Sequence, residues 1–311
     1  MPPPSTVKAL LEVGKQMVLD GFQSIKYVHL IDPVTMSQSV ITYFLLWVDV
    51  FFHQGNVSSC WCTSLEWLQV ERKQRVSAER REVAEKVIRV LDVLPWGINK
   101  AGWQGEEPIS NLTKYLGTNW ALSMMMEDML DILADHITND PTINPQYSLQ
   151  HSHFIAKILD AYNSHDTDTY MQNSIFCHIQ EVADNIVQKQ HSLLTTYHLG
   201  NTDPHWVTII VDGLEVQILY SDLYHNPPPY NLLDAYRWWI SQHSETALKF
   251  KDLPTGIQTD SNACGFFADN SLEHYVYGVP LITTTSAKTW HMRSFLNITQ
   301  KILASMSLLV I

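Results

Sequence analysis

The sequence has few cysteines for its length, and this shortage argues against a disulfide-rich extracellular domain. Four cysteines occur in 311 residues, and their spacing gives no disulfide framework. No signal-peptide pattern opens the sequence. We therefore expect an intracellular protein, nuclear or cytoplasmic, whose thiols stay reduced.

Basic residues and long apolar runs are also scarce. The chain has 20 Lys and Arg against 32 Asp and Glu, for a formal net charge of −12. Because non-specific binding to nucleic acid requires a basic face, we expect no nucleic-acid partner. The longest apolar run, Val40 to Phe52, contains Thr42 and Asp49 and is shorter than the roughly 20 residues that span a bilayer. We interpret it as buried core and expect no membrane association.

The length predicts more than one domain. Residues 1–105 are expected to form a mainly helical N-terminal extension of unknown role, and residues 106–311 a second, larger domain with its core at about 118–285. A long helix is predicted from Ser64 to Leu94, with its apolar positions largely on one face. That stripe favours packing on the neighbouring domain, and a coiled-coil partner is the alternative. Other helices are predicted at 120–136, 149–162 and 231–248, with loops and strands at 174–222.

A predicted β-hairpin brings a histidine and an aspartate together. The β-branched run after His205 and the segment from Leu214 to Tyr220 read as two strands joined by a two-residue Asp212-Gly213 turn. This register sets His205 opposite Tyr220 and makes Asp222 its diagonal neighbour. An aspartate there would fix the tautomer and orientation of the histidine, which could then deprotonate a thiol.

A cysteine that could be the partner of this histidine begins a predicted helix. Cys264 precedes a segment of helical character that ends at Gly278, a plausible C-cap. The unpaired N–H groups at a helix N-terminus stabilise a thiolate. Gln258, six residues upstream, could donate its amide N–H to the oxygen of a tetrahedral intermediate, together with the Cys264 backbone N–H.

Each of these signals has a structural explanation when taken alone. A histidine before a strand, an aspartate after one and a buried cysteine are usually structural. Their combination favours a thiol hydrolase, with Cys264 as nucleophile, His205 as base and then acid, Asp222 as orienting group and Gln258 in the oxyanion hole. No metal site is expected, since Cys60 and Cys62 with His53 lack a fourth ligand at a zinc-type spacing.

The same residues resemble the ubiquitin-like-protein-specific, SUMO-type cysteine proteases of the adenain-like clan. That family carries His-Trp at the start of a strand, an Asp closing the next strand, and Gln six residues before the Cys of Asp-Cys-Gly. The counterparts here are His205-Trp206, Asp222, Gln258 and Ala263-Cys264-Gly265. The family's first-helix Trp-Leu-x-Asp-x-x-Ile segment looks like the stretch from Trp120 to Leu130, with Ser123 near the position of the usual Asp.

A narrower likeness involves the segment that leads into Trp120. Glu107-Pro108-Ile109-Ser110, followed by Trp120 and Asp128-Met129-Leu130, resembles the protease-like proteins of mushroom-type fungi that are often associated with transposable elements. The likeness to the protease family covers roughly residues 106–285. Two departures, Ala263 before the nucleophile and the missing Asp in the Trp120 segment, affect substrate handling more than the chemistry.

The resemblance implies an α+β, papain-like or adenain-like fold with a mixed central sheet, flanking helices and a helical N-terminal extension. It also implies hydrolysis of peptide or isopeptide bonds at the C-terminal Gly-Gly of a ubiquitin-like modifier, without a cofactor. Trp120 and Trp206 would flank a narrow substrate tunnel. The alternative is a catalytically weak or inactive transposon-derived module that binds a modifier or another protein. Acyl transfer to a different acceptor is a third possibility.

Overall fold

The structure, a computed structural model, describes most of the chain after residue 58 and two short strands before it. The described residues are 24–27, 34–37, 59–74, 77–94, 99–100, 107–117, 119–143, 146–164, 167–200, 205–258 and 262–308. The chain divides into two compact units, Met1–Leu65 and Glu66–Ile311. The apolar run from Val40 to Phe52 lies outside the described residues. The domain boundary expected near residue 105 stays a prediction.

Two antiparallel strands are described in the first unit. β1 (Ser24–Tyr27) pairs with β2 (Val34–Ser37), with Ser24 opposite Ser37. Residues 59–73 form helix α1.

The second unit combines helices with a five-stranded sheet. Its elements are α2 (Ala78–Leu91), a 3-10 helix (Ile109–Tyr115), α3 (Ser123–Asn139), β3 (Tyr147–Gln150), α4 (His153–Asn163), α5 (Thr167–Gln172), a 3-10 turn (Ser174–Phe176), α6 (Cys177–Lys189), β4 (Ser192–Leu199), β5 (His205–Asp212), β6 (Gln217–Ser221), α7 (Tyr230–Ser241), β7 (Lys249–Asp252), α8 (Cys264–Tyr277) and α9 (Ala287–Leu308).

The sheet is mixed and has the strand order β3-β4-β5-β6-β7. β4, β5 and β6 are antiparallel neighbours, while β3 and β7 add parallel strands at the two edges. Every residue of the central strand β5 is buried, because helices cover both of its faces.

Alternate residues of β5 belong to two separate cores. Val207, Ile209 and Val211 pack on one face with apolar residues of α4, α6 and α7. Ile210 packs on the opposite face with Leu272 of α8 and with residues of α3. This alternation follows from the two-residue period of a strand. The expected α+β arrangement of a mixed sheet with flanking helices is confirmed.

The predicted single helix from Ser64 to Leu94 is wrong, because the segment forms two helices. α1 ends at residue 73, and α2 begins after Ser77. The Ser77 side chain accepts a hydrogen bond from the Arg80 backbone N–H at 3.2 Å, so it is an N-cap that starts a new helix. Buried Val83, Val87 and Leu91 lie on the apolar face of α2, and this helix packs against α9.

The remaining helix predictions differ from the structure mainly at the ends. α3 and α4 occur close to the predicted ranges, whereas α7 ends at Ser241 and is followed by the unpredicted strand β7. α8 begins at Cys264 and ends at Tyr277, and Gly278 follows as the predicted C-cap with a left-handed φ of 66°. None of the described helices has the length and apolar character needed to cross a bilayer.

Candidate active site

The side chains of His205 and Asp222 meet at one end of the sheet. His205 is the first residue of β5, and Asp222 directly follows β6. The His205 Nε2 atom lies 3.0 Å from Asp222 Oδ1, and both residues are about 95% buried (5% and 4% exposed). The predicted proximity of the two residues is therefore present in the structure.

The predicted register of this hairpin is wrong. Tyr220 pairs with Ile209, and Asp212 pairs with Gln217, so the connection is four residues long rather than two. The Asp212 carboxylate closes this loop by accepting hydrogen bonds from the backbone N–H groups of Leu214 and Glu215 at 3.0 and 3.1 Å. Because the register differs by four residues, an even number, each side chain keeps its expected face.

Hydrogen bonds hold the Asp222 carboxylate toward the histidine. Its Oδ1 accepts a bond from the Tyr224 backbone N–H at 2.7 Å, and its Oδ2 accepts one from Asn226 Nδ2 at 3.4 Å. Burial alone would raise the pKa of Asp222, but the bonds from His205 and Tyr224 outweigh it and lower the pKa below its ordinary value. The carboxylate is therefore ionised at neutral pH.

The His205 imidazole is held in its protonated form. Burial acts to lower its pKa, but hydrogen bonds to Asp222 and Cys264, together with their negative charges, raise the pKa to about 9. Since Nε2 binds Asp222, Nδ1 is the ring nitrogen left for the Cys264 thiol. His205 thus stands between a carboxylate and a sulfur atom, where its imidazolium can pair with the thiolate of Cys264.

Tyr224 covers the imidazole and was missed by the sequence analysis. Its ring stacks on the His205 ring with centroids 4.6 Å apart and an interplanar angle of 27°. The available signal was its position two residues after Asp222, in the turn that the carboxylate caps. The stacking confines the imidazole to one orientation and shields it from water.

Cys264 is the first residue of α8 and is fully buried. Its helix is fixed to the sheet because the Thr208 hydroxyl of β5 donates a hydrogen bond to the Ala268 carbonyl at 2.8 Å. Ala263 occupies the N-cap position without a side-chain cap. The N–H groups in the first turn of α8 stabilise negative charge at this end of the helix.

Close packing around Gly265 fixes the same helix end against the Trp120 segment. A Cβ atom at Gly265 would lie 2.3 Å from Ala121 Cβ and 2.6 Å from Met126 Sδ. These separations are well below van der Waals contact, so only glycine allows this approach. The residue after Cys264 is therefore constrained by packing.

Trp206 anchors the segment that carries Trp120. Its indole Nε1–H donates a hydrogen bond to the Ala121 carbonyl at 2.9 Å, and the ring makes an edge contact with His198. Trp206 is buried, whereas Trp120 is 41% exposed. Their expected role as the walls of a substrate tunnel stays a prediction.

Gln258 lies buried in the segment between β7 and α8. Its role as an oxyanion donor stays a prediction.

A cleft of about 510 Å³ opens on the Asp222 side of the site, and Asn226, Pro227 and Pro228 contribute to its wall.

A buried ion network supports the segment on the other side of the site. Lys100 Nζ lies 2.7 Å from Asp128 Oδ2 and 2.6 Å from Glu107 Oε2, and the Tyr115 hydroxyl donates to Asp128 at 3.1 Å. Burial raises the pKa of Asp128, while Lys100 acts to lower it. These contacts fix α3 to the residues that precede it in the chain. Sequence analysis gave no signal for this network, because its members are brought together only by packing.

Within the described part of the chain, no group of three or more His, Cys, Asp and Glu side chains is placed to hold a metal ion. All four cysteines are free, and Cys60, Cys62 and Cys177 are exposed. His53 lies outside the described residues.

Comparisons with known proteins give matches among solved structures alone. No protein-family model matches the chain, and no curated protein sequence matches it. SUMO protease Ulp1 with its catalytic cysteine oxidised to a sulfinic acid matches at a TM-score of 0.51 and 13% identity, covering 74% of this chain and 98% of that one.

Two further structures match to a similar extent. The C-terminal Ulp1 protease domain in complex with Smt3, the yeast ortholog of SUMO, has a TM-score of 0.50 and 17% identity, with 72% of this chain and 95% of that one covered. The Ulp1-like SUMO protease catalytic domain of Chaetomium thermophilum has a TM-score of 0.50 and 14% identity, with coverages of 74% and 91%. The chain therefore has the fold of Ulp1-type SUMO proteases.

Proposed function

We propose that this protein is a cysteine peptidase that cleaves peptide or isopeptide bonds after the C-terminal Gly-Gly of a ubiquitin-like modifier. The observation that carries the proposal is the 3.0 Å contact between His205 and Asp222, with Cys264 as a hydrogen-bonding neighbour of the same imidazole. The shared fold with SUMO proteases is consistent with this chemistry.

The proposed reaction starts from an ion pair in which the proton of Cys264 resides on His205 Nδ1. The pKa of about 9 keeps that proton on the imidazole at neutral pH, and Asp222 stabilises the imidazolium through Nε2. The thiolate then attacks the carbonyl carbon of the terminal glycine. The oxygen of the tetrahedral intermediate accepts hydrogen bonds from the Cys264 backbone N–H and from Gln258.

Collapse of the intermediate breaks the carbon–nitrogen bond. His205 donates its proton to the leaving amine, and the modifier remains attached to Cys264 as a thioester. Water then attacks the thioester carbonyl while His205 accepts its proton. The second tetrahedral intermediate then releases the modifier as a carboxylic acid and restores the Cys264 thiolate and the His205 imidazolium.

Selection for glycine is part of the proposal and rests on the packing near the nucleophile. Ala121 and Trp206 are held against the start of α8 with little space between them. A narrow passage between Trp120 and Trp206 would admit a glycine backbone and reject residues with a Cβ atom.

A second candidate function is a noncatalytic module that binds a ubiquitin-like modifier or another protein. The observation that favours it is the complete burial of Cys264, since a nucleophile must reach a substrate carbonyl.

The proposed origin among transposon-associated proteins of mushroom-type fungi fits either function. Intracellular residence, nuclear or cytoplasmic, is proposed from the four free cysteines, and a fluorescent fusion would locate the protein.

Cleavage of a modifier fused through its Gly-Gly terminus to a reporter tests the proposal. Wild-type protein should release the reporter, and Cys264→Ala should release none while unfolding at nearly the same temperature. Cys177→Ala is the matched control, because Cys177 is an exposed thiol of another helix. Equal cleavage by wild type and Cys264→Ala would exclude the assigned nucleophile, whereas tight binding without cleavage would favour the noncatalytic module.

A further inference from the structure

A cavity of about 200 Å³ lies among α3, α8 and α9, apart from the candidate active site. Asp269 and Glu273 of α8 line it, together with Trp290, Arg293, Ser294 and Asn297 of α9. None of these side chains takes part in the proposed peptidase reaction. The cavity therefore requires its own explanation.

The Asp269 carboxylate is the unusual member of this lining. Its residue is only 4% exposed, and within the described residues its Oδ1 atom has no hydrogen-bond partner. Burial raises the pKa of Asp269 well above its ordinary value, and the charge of Glu273 raises it further. A buried carboxylate without a partner is costly, so the group either keeps a proton or binds a ligand that supplies positive charge.

Four side chains with oxygen donors, including Asp269, form two pairs on neighbouring helices. Asp269 and Glu273 are four residues apart on α8, and Ser294 and Asn297 are three residues apart on α9, so each pair shares one helix face. The cavity brings the two faces together. Carboxylate, amide and hydroxyl oxygens are the ligands of hard divalent cations, whereas zinc prefers nitrogen and sulfur.

Arg293 also lines the cavity, but its charge is shared with a carboxylate outside it. Its guanidinium pairs with Glu79 of α2, and it acts to lower the pKa of Glu273, although burial raises that pKa to about 7. These raised pKa values favour the protonated forms of Asp269 and Glu273 in the empty cavity, and a bound cation would displace their protons. At roughly 30 Å³ per water molecule, the volume has room for a cation and several waters of its coordination shell.

We propose that this cavity is a binding site for a hard divalent cation of the Ca²⁺ type, coordinated by Asp269 and Glu273 with oxygen atoms of Asn297 and Ser294. Ca²⁺ suits the site better than Mg²⁺ because it accepts irregular sets of oxygen ligands. A bound ion would cross-link α8 and α9. The proposal is independent of the proposed peptidase function.

Thermal unfolding of the full chain after chelator treatment tests the site. Ca²⁺ should raise the Tm of the wild type by about 2–4 °C at concentrations several-fold above Kd. Asp269→Asn keeps the side-chain shape, removes the carboxyl group that would ligate the ion and should abolish the shift. Asp234→Asn, an exposed carboxylate of α7, is the matched control and should keep it. Glu273→Gln, which should also lose the shift, decides the question if Asp269→Asn does not fold.

Luminescence of Tb³⁺, which replaces Ca²⁺ at oxygen sites, gives a direct reading of position. Trp290 lines the cavity, so its excitation should sensitise emission from a bound Tb³⁺ ion. Emission should disappear in Asp269→Asn and fall strongly in Trp290→Phe, which should keep the Ca²⁺-dependent Tm shift. Absence of any shift and emission in the wild type would overturn the proposal. A wild-type Tm shift and emission in both Asp269→Asn and Glu273→Gln would overturn it as well, since the ion would then bind elsewhere on the acidic protein.

Discussion

The ring of Tyr224 stacks on the ring of His205, with the two centroids 4.6 Å apart. His205 is the residue that contacts Asp222 and is proposed to exchange a proton with the Cys264 thiol. The same turn supplies the Tyr224 backbone N–H to the Asp222 carboxylate. One residue therefore contacts two members of the proposed triad, through its ring and through its backbone.

Replacing Tyr224 should separate these two contributions. Tyr224→Ala removes the ring but keeps the backbone bond, and we expect kcat/KM to fall about 3- to 10-fold, as for loss of one aromatic pair. Tyr224→Phe keeps the stacked ring and should stay near the wild-type rate. Steady-state kinetics on a modifier–reporter fusion measures both. Equal losses in the two variants would show that the hydroxyl, rather than the stacked ring, matters.

The activity should have an alkaline limb set by His205. The imidazolium must donate a proton to the leaving amine, and it loses that proton as the pH rises through its pKa of about 9. We therefore expect kcat/KM to fall above about pH 9 in proportion to the protonated fraction. A pH profile over the alkaline range measures this limb. A profile that stays flat well beyond pH 9 would contradict the assignment of His205 as the acid.

Asp222→Asn should change both the rate and this profile. Loss of the carboxylate removes the hydrogen bond and the charge that raise the pKa of His205, so the alkaline limb should move to lower pH. By analogy with other triad hydrolases, kcat should fall by roughly 10²- to 10⁴-fold. Asp252→Asn is the control, since Asp252 lines the adjoining cleft and His205 binds Asp222 instead. A normal profile in Asp222→Asn would exclude the orienting role.

Gly265→Ala should destabilise the protein and slow catalysis. The added methyl group would meet Ala121 Cβ at 2.3 Å and Met126 Sδ at 2.6 Å, and overpacking of this kind costs about 1–3 kcal/mol. Urea unfolding measures the loss. The double variant Gly265→Ala with Ala121→Gly removes the nearest clash and should recover part of the stability. Additive losses in the double variant would mean that the two positions do not interact.

Trp206→Phe should affect substrate binding through the Trp120 segment. The variant loses the hydrogen bond to the Ala121 carbonyl, at a cost of about 1 kcal/mol in stability. We expect KM for the modifier substrate to rise more than kcat falls. Trp239→Phe is the matched control, because Trp239 Nε1 makes a similar bond to Ile179 in the opposite core. An unchanged KM in Trp206→Phe would contradict the proposed role.

The sequence predicted the contact of His205 with Asp222 despite a wrong strand register. The contact survives because the error was an even number of residues and because both residues lie at the open end of the hairpin. The helix that begins at Cys264 was also predictable, because its sequence has helical character and is followed by Gly278, a C-cap in the left-handed conformation.

Other elements were missed for identifiable physical reasons. β7 consists of Lys249, Phe250, Lys251 and Asp252, all exposed, so this edge strand lacks the apolar alternation that predicts a strand, and it was not predicted. α6 was also missed, because residues 174–222 were predicted to form loops and strands. Its buried Ile179, Val182 and Ile186 lie at helical spacing, a signal that was available in the sequence. The cavity beside Asp269 could not be predicted, because its donors come from two helices whose packing the sequence pattern does not specify.

The most direct test of the central claim is covalent capture of the nucleophile. The purified protein is incubated with a panel of ubiquitin-like modifiers that carry a C-terminal vinyl sulfone, and the modified residue is mapped by mass spectrometry. We predict an adduct on Cys264 with at least one modifier, absent in Cys264→Ala and much slower in His205→Ala. A folded protein that forms no adduct with any modifier, or forms it on Cys60, Cys62 or Cys177, would contradict the account.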